Sequence, residues 1–305
     1  MVKYFDAHTH VQFKAFDDDW REVIGRAAAR GVGMVLAGTQ KDTSRRAVEI
    51  AREYENIYAA VALHPIHTSA SFHDEQELGV STNQLNRRQS APRGFMSRAE
   101  EFDYGYYKKL ALDPKVVAIG ECGLDYFRLG ANDKEQIAKQ KEAFLKQVEL
   151  AREVGKPLMI HARASRGTDD AYEDILRILE RVSFPGRVIF HFYAGSPEMA
   201  GKLLAAPFGD KTYFTFGGVT TFVRDYDKVI KLIPAERILS ETDAPYVTPE
   251  PYRSKPLDGV RGKRNEPAYV VEVVKKLAEI KNTPEEEMRK QILKNAEDCF
   301  NLKLV

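Results

Sequence analysis

KYFDAHTHVQF, residues 3–13, opens on strand-like apolar positions and runs straight into Asp6, His8 and His10, each two residues from the next. In an extended chain positions i and i+2 point the same way, so the three side chains are expected to share one face. The chain has only seven histidines, and two of them stand together here beside a carboxylate. Such a pair is either a pH-sensitive repulsion or two ligands for one metal ion. The stretch also sets a template, an apolar run closed by reactive polar residues.

That template recurs at VGMVLAGT (32–39), IYAAVALHP (57–65), VVAIGECGLD (116–125), PLMIHAR (157–163), RVIFHFYAG (187–195), TYFTFGG (212–218) and RILSETDAP (237–245). With KYFDAHTH (3–10) this makes eight runs. Most are continuously apolar before a polar end, as expected of parallel strands covered on both faces. Helix-patterned segments lie between them. Residues 133–156 close on Gly155, 196–206 open with Ser196 as a cap followed by Pro197, and 283–300 begin at Thr283 and Pro284. Eight strand–helix units predict an α/β fold, a (β/α)8 TIM barrel filling 1–305 as a single domain.

One spacing departs from the pattern, the gap of about 50 residues from His64 to Val116. Residues 67–97 carry no clean periodicity, and 81–97 hold Arg87, Arg88 and Arg93 without one acid. This segment is expected to be an insertion in the loop after strand 3. It is either a solvated loop or, since that loop belongs to the active face of a barrel, part of the working surface.

Composition narrows the class. A 43% hydrophobic, 30% charged chain with a formal charge of +1 fits a soluble globular protein, and gives no global pull toward polyanions or membranes. Cys122 and Cys299 are too few for a disulfide scaffold or a thiolate zinc site. The N-terminus lacks the apolar core of a signal peptide and no run is long enough to span a membrane, so the expected compartment is the cytoplasm.

Reading each run to its end gives His8 and His10, His64, Glu121, His161, His191 and Asp243, five of the seven histidines among them. In a (β/α)8 barrel all those ends surround one mouth. His64 alone would read as a core histidine. His8, His10, Glu121, His161, His191 and Asp243 make six nitrogen and oxygen donors, more than one zinc site uses. Two divalent ions (Mg, Mn or Zn) sharing Glu121 as a bridge would use them all. Asp243 is then placed to take a proton from a bound water and pass it to the leaving group. The structural alternative buries half a dozen ionisable groups together with no counter-ion, which is very costly. Cys122 follows Glu121 and must face the other side of its strand, as core packing.

The motifs DAHTH (6–10), ALHP (62–65), VVAIGECGLDY (116–126), PLMIHAR (157–163), FHFYAG (190–195), ETDAP (241–245) and GKRNEP (262–267) resemble, in order, those of the TatD family of metal-dependent hydrolases. The resemblance covers the chain apart from about 67–97. It implies a (β/α)8 barrel with one or two divalent ions: His8, His10, Glu121 and Asp243 around one, and Glu121, His161 and His191 around the other. It further implies metal-dependent hydrolysis of nucleic acid, often from a 3′ end of DNA, although some relatives cleave the ester of D-aminoacyl-tRNA. On this reading His64 contacts substrate phosphate, Arg163 and Arg264 do likewise through their forked donors, and Asp6 fixes a ligand imidazole's tautomer. The alternative for Arg264 is a salt bridge at the rim with Glu266. HFYAG departs from the family pattern by its bulky Tyr193 and an extra residue before Gly195, which bears on substrate shape.

Three functions compete: a nuclease acting on DNA or RNA ends, the same centre acting on a carboxylic ester or amide, and a barrel kept only for binding. The last predicts missing ligands, and none is missing. No G-x-G-x-x-G or G-x-x-x-x-G-K-[ST] motif occurs, so dinucleotide and P-loop chemistry have no anchor, and no lysine ends a strand, which argues against a Schiff-base barrel enzyme. A Ser-His-Asp triad would leave most of the histidines unexplained.

Overall fold

The computed structural model describes residues 1–70, 72–74, 94–96, 99–129, 133–253 and 264–305. Eight parallel strands form one sheet in chain order: β1 Tyr4–Thr9, β2 Val32–Ala37, β3 Ile57–Val61, β4 Val116–Asp125, β5 Leu158–Arg163, β6 Val188–Phe190, β7 Thr212–Phe216 and β8 Ile238–Ser240. All eight predicted runs are present; 116–125 is reproduced in full, 157–163 loses only Pro157 at its start, and the other six are trimmed at the polar end. The sheet closes on itself where the chain beyond β8 meets β1. There Asp243 N–H donates to the His8 carbonyl at 2.9 Å, and His10 N–H to that of Ala244 at 2.8 Å. The fold is a nearly closed TIM barrel.

Helices α1 Trp20–Ala29, α2 Lys41–Glu53, α3 Tyr104–Ala111, α4 Lys134–Val154, α5 Asp170–Arg181, α6 Pro197–Ala205, α7 Tyr226–Leu232 and α8 Val270–Lys281 pack outside the strands. α4 ends at Gly155, whose φ of +66° supplies the left-handed C-cap anticipated for it. α6 is capped as read, with Ser196 Oγ accepting from Met199 N–H at 3.0 Å. The last helix, α9 Glu285–Phe300, shows no side-chain cap bond; Thr283 Oγ1 donates instead to the Lys281 carbonyl. α9 closes the lower end of the barrel. Its Phe300 meets Phe5 of β1 at 5.9 Å between ring centroids, and its Cys299 is fully buried there.

Two apolar layers result. Phe5, Ala7, Val35, Ala60, Val117, Met159, Ile189 and Leu239 fill the barrel interior with α9, and the larger layer lies between strands and helices. Each large side chain buried this way contributes about 1.5–3 kcal/mol, so the polar mouth rests on a firm base.

Between β3 and β4 two short strands, Phe72–Asp74 and Gly94–Met96, pair antiparallel. The rest of the 67–97 segment, including Arg87, Arg88 and Arg93, lies almost wholly outside the described residues.

Candidate metal centre

The strand ends carry their reactive side chains through two irregularities. β1 shifts register against β2 between Asp6 and Thr9, and such a bulge breaks strict alternation. Phe5 and Ala7 therefore face the apolar interior while His8 and His10 reach the mouth. Asp6 does not join them. Its carboxylate accepts from Thr242 N–H at 2.8 Å, from the Thr242 hydroxyl and from the backbone N–H of His8, so it anchors the segment after β8 rather than an imidazole. Burial pushes its carboxyl well above the ordinary range.

The second irregularity lies in β4, between Ile119 and Cys122 in its pairing with β5. It presents Glu121, whose N–H donates to the Gly38 carbonyl at 3.1 Å. Gly123 then runs at φ +142°, and a Cβ there would fall 2.0 Å from the His161 carbonyl oxygen, so only glycine lets β4 and β5 approach this closely. Cys122 turns away as anticipated, its thiol 3.7 Å from the Ile119 and Met159 carbonyls.

All six expected donor residues meet in one cluster, with Glu121 among the histidines. Its Oε2 lies 3.4 Å from His8 Nε2 and 3.6 Å from His10 Nε2. Its Oε1 lies 2.8 Å from His191 Nε2, 3.0 Å from His161 Nδ1 and 3.1 Å from His64 Nε2. Asp243 Oδ1 stands 3.3 Å from His10 Nε2 and 3.6 Å from His8 Nε2. Ligating atoms drawn from His8, His10 and Asp243, from His8, Glu121 and His191, and from His64, Glu121 and His161 fall within 4.8 Å of one another in each group.

The nitrogens at the back of the rings show which front atoms carry lone pairs. His10 Nδ1 sits 2.8 Å from the Ala37 carbonyl, His161 Nε2 3.0 Å from Asp125 Oδ2, and His191 Nδ1 3.6 Å from Glu241 Oε2. For His10 and His161 the back nitrogen lies within hydrogen-bond distance of its acceptor, so in the neutral ring it holds the proton and leaves the front nitrogen's lone pair aimed at the cluster; His191 Nδ1 faces Glu241 without a hydrogen bond. His8 has a weaker partner behind it, Met159 Sδ at 3.0 Å. His64 is the reverse. Its Nδ1 accepts from Ile66 N–H at 3.2 Å, so its Nε2 bears hydrogen and points into the cluster as a donor. Burial pulls His64 down to about 4, which keeps it neutral.

Electrostatics agree with a site built for positive charge. Burial works to raise the Glu121 carboxyl, but His64, His191 and His8 around it hold it well below the usual range. Burial also works to lower His191, yet Glu121 and Glu241 raise it well above the ordinary imidazole value. His8 Nε2 and His10 Nε2 face each other at 3.1 Å, an arrangement of lone pairs that a cation between them relieves. The donor set therefore fits divalent metal.

Two residues of this arrangement were not read from the sequence. Asp125 and Glu241 each lie behind an imidazole, and Glu241 is fully buried with Thr215 Oγ1 bonded to its Oε2 at 2.5 Å. The signal was present, since Asp125 follows Glu121 by four on one strand and Glu241 precedes Asp243 by two, both spacings that keep one face.

The expected substrate contacts are placed unevenly. Arg163 ends β5, exposed, with its guanidinium 3.9 Å over the Phe127 ring. Arg264 turns away from the cluster. One of its nitrogens donates to the Ala15 carbonyl, another to Asp19 Oδ2 at 2.6 Å, and its fork lies over Phe16. A nearer acid and carbonyl satisfy it, so it ties the loop after β8 to the start of α1. Its expected alternative partner, Glu266, pairs instead with Arg26 at 2.7 Å. Asn265 donates to the Thr242 and Tyr246 carbonyls and so pins the ETDAP turn. Tyr193 is buried among Tyr172, Phe190 and Phe214, its hydroxyl on the Ser196 carbonyl, and shapes the core rather than the mouth.

A TIM barrel with imidazoles and carboxylates gathered at the C-terminal ends of its strands belongs to the metal-dependent hydrolase class of barrels. The chain is a member of the TatD family: the family described as "TatD related DNase" matches residues 5–301. A Bacillus subtilis protein named as an uncharacterized metal-dependent hydrolase, YabD, is 36% identical over 98% of this chain and 99% of its own length. The 3′-5′ ssDNA/RNA exonuclease TatD of Cronobacter sakazakii is 31% identical over 90% of this chain and 89% of its own. Among solved structures, the TatD homologue YjjV of Escherichia coli superposes with a TM-score of 0.74 at 25% identity, covering 99% of both chains. The protein is thus a metal-dependent hydrolase. Among the described residues no helix is long and apolar enough to cross a membrane.

Proposed function

We propose that this protein is a divalent-metal-dependent phosphodiesterase that shortens nucleic acid from its ends, DNA foremost, in the cytoplasm. The observation carrying this reading is the convergence of the His8, His10, His161 and His191 imidazoles on the two oxygens of Glu121, with the back nitrogens of His10 and His161 hydrogen-bonded to oxygen acceptors. In this reading His8, His10, Glu121 and Asp243 hold one ion, and Glu121, His161 and His191 hold the other. Bound divalent ions supply Lewis-acid charge and a water acidic enough to lose a proton near neutral pH.

The chain's own groups do the rest. Asp243 keeps 16% of its side chain open at the mouth, and its Oδ takes the proton of the attacking water and returns it to the leaving oxygen. His64 donates through Nε2–H to a phosphoryl oxygen, and Arg163 meets the flanking phosphate from the rim. The relatives named as ssDNA/RNA exonucleases support nucleic acid as the substrate. In the same reading residues 1–305 work as one domain, with 67–97 as an insertion after β3.

End-labelled single-stranded oligonucleotides incubated with Mg²⁺ or Mn²⁺ provide the test. Stepwise loss of 3′ nucleotides is expected, absent in a Glu121→Ala control. Intact oligonucleotides together with amino acid release from D-aminoacyl-tRNA would reject phosphodiester hydrolysis in favour of an ester substrate.

A further inference from the structure

The rim holds a feature that the hydrolytic centre does not use. Phe127 is 40% exposed; the other exposed large apolar residues among those described are Met1, Leu112, Leu232 and Val305, at the chain termini and the ends of α3 and α7. Phe127 instead lies two residues beyond the end of β4, at the mouth. Its backbone is fixed to the centre by a shared carboxylate: Asp125 Oδ1 accepts Phe127 N–H at 3.1 Å while Oδ2 stands 3.0 Å from His161 Nε2. The preceding residue, Tyr126, donates its N–H to the Arg163 carbonyl at 2.7 Å, and Arg163 lays its guanidinium on the Phe127 ring. Ring, guanidinium and imidazole are thus held in register by strand ends rather than by a free loop.

We propose that Phe127 and Arg163 form a nucleotide subsite, the phenyl ring stacking on a base of a single strand and the guanidinium edge meeting the adjoining phosphate. The proposal rests on the nucleic-acid reading and makes it specific. A guanidinium stacked by its face keeps its N–H edge directed outward, the geometry that phosphate oxygens take. An aromatic platform accepts any base, because every base has a π face, so the subsite selects single strands without selecting sequence.

The test compares two oligomers of equal length, an ordinary single-stranded DNA and a base-free tetrahydrofuran phosphodiester. Phe127→Ala is expected to raise KM for the DNA roughly 5- to 150-fold with kcat unchanged, to leave KM for the base-free oligomer as it was, and to be rescued by Phe127→Trp. An unchanged KM, or an equal rise on both oligomers, overturns the subsite. Should wild type cleave neither oligomer, fluorescence anisotropy with the same pair decides. Binding of the DNA lost in Phe127→Ala upholds the subsite while hydrolysis fails, and wild type that does not bind overturns both.

Discussion

Glu121→Gln is expected to lower kcat/KM at least about a thousandfold and to strip the protein of most of its metal. Five imidazoles and one carboxylate oxygen pair explain the size of the effect. Oε1 lies within 3.1 Å of His64, His161 and His191, and Oε2 within 3.6 Å of His8 and His10. An amide there removes the charge common to both halves of the cluster. It also turns N–H groups toward nitrogens whose lone pairs already face inward, which satisfies at most two of them and leaves no anion to share between ions. Elemental analysis and hydrolysis rates on the same preparation check this, with circular dichroism showing the fold retained. A variant keeping full metal and the wild-type rate would remove Glu121 from the centre.

Asp243→Asn should separate holding metal from using it. A loss of roughly 10²–10⁴ in kcat is expected, the size of a positioned proton acceptor, while the Glu121, His161 and His191 side keeps its ion. The residue itself makes the comparison clean. Asp243 sits at φ +53°, in the left-handed region that few side chains accept, and its N–H is fixed to the His8 carbonyl at 2.9 Å. Asparagine tolerates that conformation and matches the shape, so the barrel seam should stay closed. Melting temperature, metal content and single-turnover rate together report the outcome. A near-normal rate would assign the proton transfer elsewhere.

Much of this was legible in the chain. Parallel strands buried on both faces must be apolar along their length, so the eight runs stood out, and their polar ends marked the mouth where His8, His161, His191 and Asp243 meet. What escaped depends on local geometry that period-two alternation does not carry. The bulge in β1 takes Asp6 off the imidazole face and onto Thr242, and no residue in DAHTH announces it. The role of His64 turns on a single backbone N–H behind its ring, at Ile66. Arg264 had a suitable acid in sequence at Glu266 but a closer one in space at Asp19, 245 positions away along the chain. Contacts of that span belong to the folded barrel and have no local signal.

Crystals equilibrated with Mn²⁺ and measured at the manganese absorption edge give the most direct check. Two anomalous peaks about 3.5–4 Å apart are expected with Glu121 between them, one beside His8, His10 and Asp243 and the other beside His161 and His191. A map with no peak within bonding distance of Glu121 would contradict the metal centre and the hydrolysis built on it.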